Sequence, residues 1–146
     1  MKERFTTTWQ QDMSFITQLG SHAVRTEATM DHGGTGAAPG PKSLLIAALS
    51  GCTGLDVISI LKKMKVSVDE FTIDIETQES EEHPRVYTAL HLIYRFTGHE
   101  LDPKKLERAV QLSQETYCPV NAMLKKAVAI SYEVRIIDSQ LNMIGA

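Results

Sequence analysis

Two cysteines are the residues of this chain whose type and setting could do chemistry: Cys52 in "LSGCTGLDV" and Cys118 in "TYCPVNAML". An ionised thiol is a nucleophile, and it can be oxidised to a sulfenic acid that a second thiol converts to a disulfide. Cys52 stands among Ala47, Ala48, Ser50, Gly51, Thr53 and Gly54, inside an apolar run. Each glycine there costs a helix roughly 1 kcal/mol relative to alanine. The small side chains leave room for another backbone or a ligand to come close to the sulfur. Asp56 follows four residues later and shares the Cys52 face of a helix, where a carboxylate needs a cation or a backbone donor. The plainer reading of Cys52 is a structural thiol packed by small neighbours.

Cys118 immediately precedes Pro119, a residue favoured at the first position of a helix. It would then be the N-cap, where unpaired amides and the helix dipole stabilise a thiolate. The plainer reading is a helix break that carries a thiol by accident. Two thiols that met in space could run a cycle of sulfenic acid and disulfide.

The elements that must position them follow from pattern. "RFTTTW", "MSFITQL" and "HAVRTEAT" are rich in β-formers and separated by turn residues, which predicts three strands. "DHGGTGAAPGPK", from Asp31 to Lys42, predicts a flexible loop. The apolar run from Ser43 to Met64 exceeds an ordinary strand and predicts a helix. Its length approaches the lower limit for crossing a bilayer. However, it carries Ser50, Asp56, Ser59 and two glycines and lacks aromatic belts. We therefore expect a soluble central helix buried nearly all round, with part of its cover supplied by a second subunit.

Beyond Met64, "FTIDIETQES" places Phe71, Ile73 and Ile75 on one face, and "RVYTALHLIYRFTG" keeps Leu90, Leu92, Tyr94 and Phe96 in step, so both read as strands. Asp102 is the expected N-cap of a helix with Pro103 at its first position, packing through Leu106, Ala109, Val110 and Ser113. A short helix over "PVNAMLKKA" and a strand over "AISYEVRII" complete the order. The expectation is a single α+β domain over residues 1–146.

The chain has 146 residues, is 42% hydrophobic and 23% charged, and carries a net charge of −3. That length can bury a core without disulfide staples. The mild acidity argues against nucleic acid or an anionic membrane as the partner. "MKERFTTTWQQ" has no apolar signal core, so a cytoplasmic location is expected. The five histidines (His22, His32, His83, His91, His99) lack metal spacing and there is no C-x-x-C, so no metal or other cofactor is expected. "HGGTG" at His32 is similar to an esterase oxyanion loop, but no G-x-S-x-G elbow accompanies it. Gly33 to Gly40 shows no phosphate-loop pattern.

"PKSLLIAALSGCTGLDVISILKK" followed after two strands by "ETYCPVNAMLKKAV" resembles the OsmC/Ohr family of thiol-dependent peroxidases, nearly over the whole chain in element order. The resemblance implies an α+β fold with strands packed around a long buried central helix, built as an intertwined homodimer with active sites at the subunit interface. It implies that Cys52 is the peroxidatic thiol, attacking small organic hydroperoxides, and that Cys118 resolves it to an intramolecular disulfide. An external dithiol would then reduce that bond.

The sequence departs from the family pattern at two places. A glutamate usually stands ten residues before the first cysteine, and this chain has Lys42. The arginine usually found in the early strands, around Met13 to Phe15, is missing, which leaves Arg25, Arg4 or Lys42 itself as the cation. These departures keep open a different class of function: a non-catalytic protein of the same fold that binds a small apolar or thiol-reactive molecule at the dimer interface.

Overall fold

Alternation and turn chemistry place the first strands where the pattern predicts. In the computed structural model, which describes residues 1–139, β1 (Thr6–Trp9), β2 (Ser14–Leu19) and β3 (His22–Glu27) form an antiparallel meander in that order. The β2–β3 register pairs Ser14 with Glu27 and Leu19 with His22. Together with the following loop, these strands lie in one compact unit, Met1–Ala47, and the chain from Ala48 onward forms a second.

The loop expected to be flexible is tied down. Glu27 is buried, and its carboxylate accepts the Thr35 hydroxyl at 2.9 Å and the Ala37 backbone N–H at 3.0 Å. The Glu27 N–H donates to Pro39 O at 3.0 Å. The hydroxyl of Thr35, then burial working against it, then the amides of Ala37 and Thr35 and the charge of Arg25 leave the Glu27 carboxyl below its ordinary pKa. A Cβ at Gly34 would collide with the carbonyl of Ala28, so that turn requires glycine.

Helix α1 runs over Ser43–Lys63, within a residue of the predicted end. Its burial within one chain is partial. Leu49, Thr53, Val57 and Leu61, spaced four apart, form the buried stripe, while Leu55 is 76% exposed and Leu45 44%. The helix is long and apolar enough to cross a membrane, with a mean hydropathy of 2.0, and 22% of that stretch is buried. One stripe is what the described chain covers, because a helix that is apolar all round does not specify which face its own chain will reach.

In the second unit, β4 (Glu70–Glu79) pairs antiparallel with β5 (Tyr87–Gly98), and β5 pairs parallel with β6 (Ala129–Asp138). A parallel neighbour needs a crossover. It is supplied by α2 (Pro103–Leu112), a π-helical turn (Ser113–Tyr117) and α3 (Pro119–Leu124). Asp102 caps α2 as predicted, accepting the Lys104 N–H at 3.0 Å, with Pro103 opening the helix. The core of this unit collects Leu90, Leu92, Tyr94 and Phe96 from β5, Leu106, Ala109 and Val110 from α2, and the α1 stripe. Phe71 stacks on Phe96 with centroids 4.5 Å apart, which closes the β4 side of this layer.

Candidate active site

Cys52 and Asp56 lie one turn apart on α1, and Cys118 is the N-cap residue of α3. The Cys52 Sγ, the Cys118 Sγ and a carboxylate oxygen of Asp56 all lie within 4.8 Å of one another. Both cysteines are free thiols. The fold thus joins residues that are far apart in sequence, and the first condition for a two-thiol cycle is met.

The π turn accounts for the meeting. The Cys118 N–H donates to Ser113 O at 3.0 Å, a bond spanning five residues rather than four. This wider turn buries both Ser113 and Gln114 before the chain breaks at Pro119. Cys118 Sγ in turn accepts the Asn121 N–H at 3.3 Å, so the predicted cap is present.

Its predicted consequence is overturned. The Cys118 thiol is pushed up to about 11, not down. Burial is the main cause. The Asn121 amide works against it, and the Cys52 side chain and the Asp56 charge add to the rise. At 3% exposure the loss of water outweighs one cap bond. Cys52 is the more exposed of the two cysteines.

The partner of Asp56 is also not the one expected. Asp56 Oδ2 accepts the hydroxyl of Ser113 at 3.0 Å, rather than a cation or a backbone donor. Behind it stands a buried line of polar groups that the sequence analysis missed. Thr53 Oγ1 lies 2.7 Å from Ser113 Oγ and 2.8 Å from Tyr94 Oη, and Gln114 Nε2 donates to Tyr94 Oη at 2.6 Å. One proton per hydroxyl fixes the direction. Ser113 spends its proton on Asp56, so Thr53 donates to Ser113 and Tyr94 donates to Thr53. The chain therefore points its donors toward the carboxylate, each bond polarising the next. Ser113 on an otherwise apolar α2 face, and Thr53 within the α1 stripe, were the available signals.

The three candidate cations, Arg25, Arg4 and Lys42, belong to the first unit. Arg25 donates to Ser14 Oγ at 2.9 Å and to Glu27 Oε1 at 3.2 Å, and Arg4 is exposed ahead of β1. Lys42 precedes α1 in the first unit. Within the second unit, Lys63 lines a shallow opening together with Asp56, Ser59, Ile60 and Tyr117. Gly51 offers open space for a Cβ, and at Gly54 a Cβ would meet Ile73 at an ordinary 3.5 Å. The described chain alone therefore does not require either glycine. Both line an open groove with Leu55, Ile58, Phe71 and Ile73.

Residues 33–133 match the family model described as OsmC-like protein. The chain is 34% identical over 129 residues to Protein YhfA of Escherichia coli K12, covering 88% of this chain and 94% of that one. A crystal structure of a hypothetical protein from Aquifex aeolicus VF5 superposes with a TM-score of 0.76 at 28% identity, covering 93% of this chain and 98% of that one. An organic hydroperoxide resistance protein OsmC from Legionella pneumophila shares the fold, with a TM-score of 0.67 at 18% identity and 92% and 97% coverage.

Proposed function

The chain belongs to the family of OsmC-like proteins, and from that premise we propose that it is a thiol-dependent peroxidase that reduces organic hydroperoxides, with Cys52 as nucleophile and Cys118 as resolving thiol. The observation that carries this reading is the approach of the two sulfurs to within 4.8 Å, with a carboxylate beside them. A disulfide needs sulfurs about 2.05 Å apart, so closure asks for a movement of side chains and of the cap at Cys118. The names of related structures, which include organic hydroperoxide resistance proteins, point the same way.

The chemistry assigns each group a task. Asp56 takes the Cys52 proton, as an adjacent base activates a nucleophile. The thiolate attacks the terminal peroxide oxygen, the O–O bond breaks, and the proton held on Asp56 passes to the departing alkoxide. The products are an alcohol and a Cys52 sulfenic acid. Cys118, the buried and protonated partner, then forms the S–S bond. Its proton leaves with the sulfenic hydroxyl as water. An external dithiol restores both thiols by exchange in a reducing, cytoplasmic compartment.

We place the groove over Gly51, Gly54 and Leu55 at the interface of a homodimer, whose second copy would cover the exposed side of α1. Light scattering would then give twice the 16.2 kDa chain mass. The test of activity is a coupled assay with cumene hydroperoxide and a dithiol. Sustained turnover is expected, and its absence with intact free thiols would contradict the proposal.

One observation favours a second reading. The neighbour of the sulfurs is an acidic group, and Cys118 is held as a thiol at about 11. A protein that binds a small apolar or thiol-reactive molecule without turnover would tolerate both. It would keep two titratable thiols after exposure to peroxide.

A further inference from the structure

We propose that the same three side chains form a binding site for one thiophilic divalent ion of the zinc class, ligated by Cys52 Sγ, Cys118 Sγ and an Asp56 carboxylate oxygen. This rests on the placement of the donors and not on the peroxidase reading.

The donor set selects the ion. Two thiolates and one carboxylate suit zinc or cobalt, whereas magnesium and calcium require six or more oxygens. Tetrahedral zinc holds two thiolates about 3.8 Å apart, given zinc–sulfur bonds near 2.3 Å. The three donor atoms already lie within 4.8 Å of one another, so side-chain adjustments on the order of an ångström complete the cage. Cys52 and Asp56 present their donors from one face of α1, and the π turn brings Cys118 to them from a second element. Sequence spacing concealed this set because its third member comes from another helix.

The surroundings are arranged as around a ligating carboxylate. Ser113 Oγ donates to Asp56 Oδ2, which fixes the carboxylate and leaves Oδ1 without a bond among the described residues. An outer hydrogen bond of this kind orients metal ligands. Independently, Asn121 is 2% exposed and its Oδ1 has no donor among the described residues, although its N–H reaches Cys118 Sγ. A buried acceptor of this kind calls for a donor beyond those that the described residues supply, such as a water carried on a metal. Three protein ligands leave one position open for that water or an exogenous ligand.

Metal and peroxide would then compete for the same sulfurs: a metallated pair is shielded from oxidation, and a disulfide cannot ligate. The test uses the reduced, untagged full-length chain, freed of metal by a chelator and titrated with cobalt chloride. One cobalt per chain with a thiolate-to-cobalt charge-transfer absorption, displaced by zinc, is expected. Cys52→Ser, Cys118→Ser and the diamide-oxidised wild type should lose that absorption, and Asp56→Asn should weaken binding by about tenfold or more. The oxidised wild type keeps the test valid should a cysteine variant fail to fold. No charge-transfer band in the reduced wild type, or a band unchanged in both cysteine variants, would overturn the site. Turnover without metal binding would refute this inference alone, and metal binding without turnover would refute the peroxidase alone.

Discussion

Two lines of polar side chains cross the second unit, and they end in opposite surroundings. One is the buried run from Gln114 through Tyr94, Thr53 and Ser113 to Asp56, which finishes against two sulfurs. The other lies on β5 and β6, where His91 Nδ1 is 2.7 Å from Ser131 Oγ and Nε2 is 3.1 Å from Glu133 Oε1. By residue type, the second is the more suggestive, since serine, histidine and acid in series is the order of a hydrolytic triad. Its neighbours are cross-strand partners on an open sheet surface, His91 opposite Ser131, and Arg135 also occupies Glu133 at 3.0 Å. Water reaches that cluster, and the acid is shared with a cation. The buried line has weaker-looking members but excludes water and delivers its polarity to reactive atoms. Solvent access, more than residue type, separates a candidate site from a surface network.

The sharpest way to break this contrast is to remove one nucleophile from each line. Cys52→Ser should abolish hydroperoxide turnover, whereas Ser131→Ala should leave it at the wild-type rate in the same coupled assay. Loss of turnover in Ser131→Ala would move the chemistry to the sheet. Next in size, Asp56→Asn should slow single-turnover oxidation of Cys52 about 10²-fold at pH 7, the range of a lost general base. A rapid-mixing measurement with unchanged rate would reduce Asp56 to a bystander.

Ser113→Ala removes the donor to Asp56 and the acceptor of Thr53, leaving buried groups unpaired. Urea unfolding should report a loss of about 1–3 kcal/mol, larger than Ser131→Ala, which stays near zero because water replaces the bond. The smallest effect belongs to the surface line. Arg135 first, then His91, hold the Glu133 carboxyl at about 2, below its ordinary 4.5. A depressed acid contributes stability that is complete above its unfolded value and is lost as pH falls from there toward about 2. An NMR titration should place the Glu133 midpoint near 2 in the wild type and well above it in Arg135→Ala.

Local pattern made much of this fold legible. Alternation at Phe71, Ile73 and Ile75 located β4, the Asp102-Pro103 pair opened α2, and Pro119 opened α3. What stayed hidden depends on distant partners. The parallel pairing of β5 and β6 leaves no mark on either strand. The π turn at Ser113–Tyr117 continues a helical pattern, and only a bond from Cys118 N–H to Ser113 O distinguishes it. Cys118 was read from its cap, but the core around it sets its proton affinity. Asp56 calls by its type for a cation or a backbone donor, but the fold supplies the Ser113 hydroxyl. The two thiols are identifiable as a pair from their settings and their family resemblance, and helix spacing sets Asp56 beside Cys52; the approach of Cys118 to that carboxylate needed three dimensions.

The most direct test is to treat the reduced protein with one equivalent of an organic hydroperoxide, quench with an alkylating agent and map the cysteines by peptide mass. A single linked peptide pair joining Cys52 to Cys118, with two thiols lost per chain and no reaction in Cys52→Ser, is the expected result. Two alkylated, unlinked cysteines after treatment, or oxidation confined to Cys118, would contradict the account.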